Sequence, residues 1–382
     1  MSAMQAVLWP TPEQEMVLQI AVGRESRATE TFVRWAATLD LEGPFDYGAF
    51  RLLPLVFNRM HALGMKHPLM ARLRGIYRKS WYESELLTHR LSPVVAALHA
   101  RGIRTILLKG AALQRSYYRN DALRPMHDLD VFVHPNDRVA AVAMLDEMGW
   151  QRDRSAHEWD FQYRHSMLFH GPDNLQLDLH WHLMREACFP AASEAFWSRA
   201  RPLAWGGLDV LQLGSTDMLL HTVIHGVRAN REPPLRWIAD AITILRTASE
   251  EINWKLLLDQ SKRLRLNTRL SLGLDHLAER YAAPIPPEIL DTLRRRGASW
   301  VERVENAVHL RDNESLYANK ALKPWVAFAD YVRVGDTRRP LRFAIGFSRY
   351  LPYRLGARGR IDLVVSSLRG LARRILHHMP AR

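Results

Sequence analysis

The stretch from Ile103 to Val133 constrains the fold of this chain more than any other. It begins with a short apolar run that ends at Lys109-Gly110, continues through small residues and a polar connector, and closes with a run of alternating character from Asp128. Short runs rich in β-branched residues are typical of buried strands, and glycine permits a close or left-handed turn after the first run. The stretch therefore predicts a strand, a turn, a helix start, a loop and a second strand.

The second strand carries two carboxylates on one face. Side chains alternate along a strand, so Asp128 and Asp130 share one face while Leu129, Val131 and Val133 share the other. Two like charges this close repel each other unless a cation lies between them. A hard divalent cation such as magnesium, which prefers oxygen ligands, satisfies that requirement.

A third carboxylate lies on another alternating segment, Leu175 to His182, in which Asp178 and His180 share one face. If this strand lies beside the first, three acids converge next to a glycine turn that can hold phosphate. Such an arrangement suits phosphoryl or nucleotidyl transfer. In it, His180 would orient a carboxylate or a metal-bound water.

Three sequence blocks together resemble a known family. They are Leu-Leu-Lys109-Gly110-Ala-Ala-Leu, then Arg124-Pro-Met-His-Asp128-Leu-Asp130, then Leu-Asp178-Leu-His180-Trp. This pattern resembles the uncharacterised bacterial nucleotidyltransferases of the polymerase-β-like superfamily. The resemblance implies an α/β (α+β) fold with a mixed-sheet core, and transfer of a nucleoside monophosphate from a nucleoside triphosphate to an acceptor hydroxyl, with release of pyrophosphate.

The resemblance also implies the site residues. Asp128, Asp130 and Asp178 would be catalytic and would bind two magnesium ions, with manganese as the alternative metal. Gly110 would hold the triphosphate, with ATP as the expected donor. The acceptor is not identified by the sequence.

Three charged residues near these blocks allow two interpretations each. Lys109 either binds phosphate as a point charge or is solvated at the strand end. Arg124 pairs either with a triphosphate or with a carboxylate of the protein. Asp240 either faces the site or serves as a helix cap or ion-pair partner.

The hydrophobic pattern divides the chain into four parts. We expect an N-terminal helical region at 1–95, the nucleotidyltransferase core at 96–185, a helical domain at 186–335 and an arginine-rich amphipathic tail at 336–382. The core is thus flanked by helical segments on both sides.

The positive charge of the chain is concentrated in the tail. The formal net charge is +13, and residues 338–382 supply +10 of it through eleven arginines and one acid. From Ile361 to Ile375 the apolar residues recur on one helical face. A basic amphipathic helix of this kind binds an anionic membrane surface, nucleic acid or a partner protein, or docks on its own chain.

Three alternative functions follow from these features. The chain could retain the fold as an inactive nucleotide- or partner-binding protein. It could bind or modify RNA through the tail, and this alternative predicts that RNA binding depends steeply on the salt concentration. A zinc site built from His180 and His182 with His165 or His170 has loose spacing and lacks cysteine ligands.

The composition of the chain indicates the cellular compartment of the protein. The single cysteine, Cys188, excludes an internal disulfide and fits a reducing compartment. No stretch approaches the ~20 apolar residues of a membrane span, and the N-terminus lacks the features of a secretory signal. We therefore expect a cytoplasmic protein without a transmembrane segment.

Overall fold

The computed structural model describes residues 8–39, 46–152, 161, 163–228, 234–309, 323–335 and 339–355, which belong to two units, Met1–Ala298 and Ser299–Arg382. The α-helices of the first unit are α1 (Pro12–Val22), α2 (Glu25–Thr38), α3 (Tyr47–Phe50), α4 (Leu53–Ala62), α5 (Leu69–Ala100), α6 (Lys109–Leu113), α7 (Arg138–Glu147), α8 (Pro190–Trp197), α9 (Ser215–Gly226), α10 (Arg236–Thr247), α11 (Trp254–Arg263), α12 (Asn267–Tyr281) and α13 (Pro287–Arg296). Its strands are β1 (Thr105–Leu107), β2 (Leu129–Val133), β3 (Gln151–Arg152), β4 (Ser166–His170), β5 (Gln176–His180), β6 (Arg201–Trp205) and β7 (Leu208–Gln212).

All seven strands belong to one mixed sheet. Its strand order is β3-β4-β5-β2-β1-β7-β6, with β2 parallel to β5 and antiparallel to β1. The sheet and the helices around it confirm the predicted α/β class. The parallel pairing of β2 and β5 brings the two acidic segments of the sequence side by side.

The long helix α5 covers one face of the sheet. Its second half packs apolar side chains against the apolar faces of β2 and β5, which alternate with the polar positions as the sequence predicts. Burial of this layer is the main stabilising contribution to the sheet. The layer includes Leu87, Leu91, Val95, Leu98, Val131, Val133, Leu177 and Leu179.

Two hairpins complete the sheet. The hairpin of β4 and β5 turns at Pro172–Asn174, and the Gly171-Pro-Asp-Asn turn in the sequence predicts it correctly. The prediction that residues 186–335 are helical throughout is wrong at the hairpin of β6 and β7. Gly206 and Gly207 both take positive φ angles, 57° and 78°, which a tight turn requires and glycine permits. This hairpin extends the sheet beyond β1.

Within the predicted N-terminal helical region, the segment 47–62 is divided into α3 and α4. Pro54 lies in the first turn of α4 and has no N–H to donate to Phe50, so a helix cannot run through this position undisturbed. Arg51 lies at the resulting break. The break matters because Arg51 lines a cavity described below.

The second unit contains α14 (Trp300–His309), α15 (Lys323–Val334) and α16 (Pro340–Arg354). Glu305 and Arg333 form a buried ion pair within it. The amphipathic helix predicted for 361–375 lies outside the described residues, and the four-part division of the chain stays a prediction. No helix among the described residues is long and apolar enough to cross a membrane.

Candidate active site

Asp130 and Asp178 face each other across two parallel strands. They are register partners on β2 and β5, and their side chains point away from the apolar layer under α5. Asp130 is 4% exposed, whereas Asp178 is half-buried. The alternating patterns of both segments predict these faces, and the strand pairing brings the two carboxylates together.

His180 connects the two carboxylates. Its Nε2 lies 3.0 Å from Oδ2 of Asp178 and 3.3 Å from Oδ1 of Asp130. Burial opposes the charge on this imidazole, but the adjacent carboxylates, Asp178 above all, raise the pKa of His180 to about 9. The charged ring therefore donates to both acids, and its role in orienting a metal ligand stays a prediction.

Lys109 supplies a second cation to the same carboxylate. Its Nζ lies 2.5 Å from Oδ1 of Asp130, so the lysine is engaged by protein and is not simply solvated. Burial opposes the charge, yet Asp130 and then Asp178 raise the pKa of Lys109. Burial would likewise raise the pKa of Asp130, but Lys109 and His180 hold it well below its usual range. Asp130 is therefore ionised and fully neutralised.

The turn before α6 differs in detail from the expected one. The residue with the left-handed backbone is Lys109, with a φ of 42°, and not Gly110. A side-chain-bearing residue in this region is strained, typically by ~1–3 kcal/mol. Gly110 instead allows two side chains to lie close to the backbone. A Cβ at this position would lie 2.6 Å from Sδ of Met126 and 2.8 Å from Nη1 of Arg124.

Asp128 lies just before β2 and is the least stabilised of the three acids. Burial and then the charge of Asp130 raise the pKa of Asp128, and Lys109, Arg236 and Arg124 offset this only in part. The pKa of Asp178 is lowered instead: burial opposes its charge, but His180 stabilises it. A bound cation would thus stabilise the ionised form of Asp128 more than that of Asp130 or Asp178.

Arg124 and Asp240 form a buried ion pair with each other. Nε and Nη2 of the guanidinium donate to both carboxylate oxygens over 2.9–3.1 Å, and the hydroxyl of Tyr118 donates to the same carboxylate over 2.9 Å. In the structure, therefore, Arg124 and Asp240 are ion-pair partners, which is one of the two interpretations that the sequence allowed for each. Contact between Arg124 and a nucleotide stays a prediction.

The acidic group fits a divalent cation. Within the described part of the chain, Asp130, Asp178 and His180 form a group whose ligand atoms all lie within 4.8 Å of one another. The two carboxylates are suitable ligands, whereas the charged His180 ring would have to lose a proton before it could bind a metal; its Nδ1 is buried without a hydrogen-bond partner among the described residues. Asp128 lies outside this group, as do His165, His170 and His182 of the zinc alternative, and His182 bonds to Ser193 instead.

A cavity of about 230 Å³ opens beside Lys109. Besides the predicted residues Lys109 and Arg124, it is lined by Arg51, His221 and Arg236, which the sequence analysis did not assign to the site. Burial and then the charges of Lys109 and His180 lower the pKa of His221 to about 3, so this ring is neutral. No local motif marks these residues, because they come from distant helices.

Comparison with solved structures finds matches to part of this chain, of which two follow. The antibiotic-resistance factor ANT(2'')-Ia is 18% identical over 51% of this chain and 97% of its own, with a TM-score of 0.33. An antigenic nucleotidyltransferase-like protein from Paracoccidioides brasiliensis is 15% identical over 56% of this chain and 94% of its own, with a TM-score of 0.36.

No curated protein matches the chain. The model of a family described as uncharacterised nucleotidyltransferase matches residues 49–282, which include the whole sheet, the acidic group and most of the cavity lining. Since this match spans more than half of the chain and agrees with the three sequence blocks, the protein belongs to this family of nucleotidyltransferases.

Proposed function

We propose that the protein is a metal-dependent nucleotidyltransferase that moves a nucleoside monophosphate from a nucleoside triphosphate, ATP in the first instance, to an acceptor hydroxyl. The observation that carries this proposal is the pairing of Asp130 with Asp178 on parallel strands, 3.3 and 3.0 Å from one bridging imidazole. Two ionised carboxylates that are linked through Lys109 to an adjoining cationic cavity suit a reaction in which phosphate charge must be held and pyrophosphate must leave.

Asp128, Asp130 and Asp178 would hold the metal, with two magnesium ions as the expected complement and manganese as the alternative. Bound metal would neutralise charge on the reacting phosphates. The raised pKa of Asp128, caused by burial and by Asp130, supports a role as a ligand that is completed by a cation.

The other residues of the site would bind and orient the nucleotide. Lys109 lies at the cavity wall and carries a charge suited to phosphate. Gly110 would bind the triphosphate through its backbone, since the space at its Cα is taken by Met126 and Arg124. Arg124 lines the same cavity, although its ion pair with Asp240 commits two of its three nitrogens. His180 would keep Asp130 and Asp178 ionised and in place.

In the proposed reaction an acceptor oxygen bonds to the α-phosphorus, and the bond from this phosphorus to the bridging oxygen of pyrophosphate breaks. The acceptor remains to be identified, as does any anionic partner of residues 338–382. A single half-buried cysteine supports the further proposal of a cytoplasmic location.

The fate of the labelled phosphorus tests the proposed reaction. The protein is incubated with magnesium, a deproteinised cell extract as the source of acceptor, and ATP labelled at either the α- or the γ-phosphorus. We expect the α-label to enter a new product while the γ-label leaves as pyrophosphate, and we expect the Asp178→Asn variant to do neither. Transfer of the γ-label to the acceptor would instead identify a phosphotransferase.

A further inference from the structure

The cavity beside Lys109 is built from segments that are far apart in the sequence. One wall comes from the break between α3 and α4, a second from α6 and a third from α9 and the start of α10. The first and third walls each contribute one arginine, Arg51 and Arg236. Neither residue is part of the acidic group or of the three sequence blocks.

Arg51 carries an unsatisfied donor. Its Nε is buried without a hydrogen-bond partner among the described residues, and no carboxylate there forms an ion pair with its guanidinium. Its central carbon lies 5.4 Å from the ring centroid of Tyr47, which fixes the position of the guanidinium plane. Burial and the charge of Arg124 are among the effects that lower the pKa of Arg51. A buried donor without an acceptor costs free energy, so an absent acceptor would improve this site.

Arg236, like Arg51, has no carboxylate partner among the described residues. One of its nitrogens donates over 2.8 Å to the carbonyl of Pro125. Burial and then repulsion from Arg124 and Arg51 lower its pKa to about 9. The pKa shift has the direction expected where cations gather without enough negative charge.

The carboxylates that line the cavity are already engaged. Asp240 is held by two of the three nitrogens of Arg124, and Asp46 accepts from the backbone N–H of Ala49 over 2.7 Å as the cap of α3. Lys109 is paired with Asp130 behind the cavity wall. Asp128 and Asp240 favour the charges of Arg51 and Arg236 from a distance, but no carboxylate of the described residues forms an ion pair with either guanidinium at the cavity.

We propose that Arg51 and Arg236 together bind an oxyanion group, a phosphate or a carboxylate, of a substrate of this protein. That the ligand is a substrate rests on the proposed function, whereas the anion site itself does not. The guanidinium fork matches the oxygen geometry of such groups and forms paired, charge-assisted hydrogen bonds with them.

Two molecules could supply the oxyanion. It is either the triphosphate of the donor nucleotide or an acid group on the acceptor.

Inorganic tripolyphosphate tests the site without metal or turnover. Calorimetry in EDTA is carried out with the full chain and with the variants Arg51→Gln, Arg236→Gln and Arg51→Lys. Arg78→Gln, at an exposed position of α5, is the matched control for a lost surface charge. We expect binding by the wild type and the control, and binding weakened about tenfold or more in each Gln variant. Arg51→Lys should lie between them, since it keeps the charge and loses the fork.

Thermal unfolding separates this role from a structural one. Because each substitution relieves repulsion between buried cations, Arg51→Gln should unfold at the wild-type temperature or above it. Equal tripolyphosphate affinity in the wild type and both Gln variants, or no binding by the wild type, would overturn the inference.

Competition with ATP identifies the source of the oxyanion. If ATP displaces tripolyphosphate, the site holds the donor triphosphate, and if both bind at once, it holds an acid group of the acceptor. Arginine-dependent binding by a chain that never releases pyrophosphate from any nucleotide would refute the proposed function and leave the anion site intact.

Discussion

Lys109 neutralises Asp130 from a strained backbone position, with Nζ 2.5 Å from Oδ1 and a φ of 42°. His180 approaches the same oxygen over 3.3 Å. One buried carboxylate thus has two cationic partners, while Asp128, two residues away, has none at contact distance among the described residues. The neighbouring acids differ in stability for this reason, and the difference can be measured.

Neutralising Asp130 and neutralising Asp128 should have different effects on the free energy of unfolding. Asp130→Asn leaves Lys109 and His180 without their shared partner and should lower the free energy of unfolding by about 3 kcal/mol. Asp128→Asn removes a charge that burial and Asp130 disfavour, so it should unfold at the wild-type denaturant concentration or a higher one. Urea unfolding of both variants at neutral pH without metal makes this comparison. A loss of stability in Asp128→Asn as large as that in Asp130→Asn would contradict the described electrostatics.

Removing the lysine should make the fold dependent on divalent cations. In Lys109→Met the carboxylates keep only His180 as a cationic partner, so we expect a loss of about 3 kcal/mol in the metal-free protein. Magnesium or manganese at millimolar concentration should recover part of this loss, since a ligand that binds only the folded state stabilises it. The increase in melting temperature on adding metal should be larger in the variant than in the wild type. The opposite ranking would mean that no metal binds at these carboxylates.

The Arg124–Asp240 pair should prove mainly structural in a double-mutant cycle. Arg124→Met leaves the Asp240 carboxylate buried with Tyr118 as its remaining contact and should cost about 3–5 kcal/mol. Arg124→Met combined with Asp240→Leu removes both charges and should recover most of that loss. Additive losses in chemical denaturation would show that the two residues do not act as a pair. If the stable double variant still binds nucleotide more weakly, Arg124 also contacts the nucleotide as the sequence predicts.

Acid should destabilise the first unit through buried neutral histidines. Burial and then the charge of Arg138 lower the pKa of His182 to about 4 in the folded protein, from an ordinary value near 6.5. Since the unfolded chain binds more protons between these values, stability is fully present above pH ~6.5 and falls as the pH drops towards 4. The contribution of this ring is about 3 kcal/mol, at ~1.4 kcal/mol for each pKa unit.

His182→Gln should flatten the decline of stability between pH 6.5 and 4 because it removes this group. His89→Gln, at an exposed position on α5, is the control and should keep the wild-type slope. Identical slopes for all three proteins would contradict the assignment of this acid sensitivity to His182.

Local patterns in the sequence predicted the centre of the fold well. Alternation placed Asp130 and Asp178 on the polar faces of their strands, because strand period and burial are local properties. The sequence could not fix the register that makes these two residues partners, since register depends on contacts between segments far apart in the chain. Nor did it reveal that Lys109 would turn back onto Asp130.

The parts that were missed depend on long-range packing. Arg51 and Arg236 are separated by most of the first unit, and only the assembled helices bring both to one cavity. The hydrophobic pattern predicts helix where β6 and β7 form a hairpin, although Gly206-Gly207 between alternating residues is a recognisable turn signal. That signal was available in the sequence, whereas the shared cavity was not.

The most direct test of the central claim is calorimetry of the four nucleoside triphosphates, with and without magnesium, on the wild type and Asp128→Asn. The account predicts that at least one triphosphate binds only with magnesium and that the variant loses this binding while its melting temperature does not fall. Absence of binding for every triphosphate, or equal binding by the variant, would contradict the proposal that these carboxylates form a nucleotidyl-transfer site.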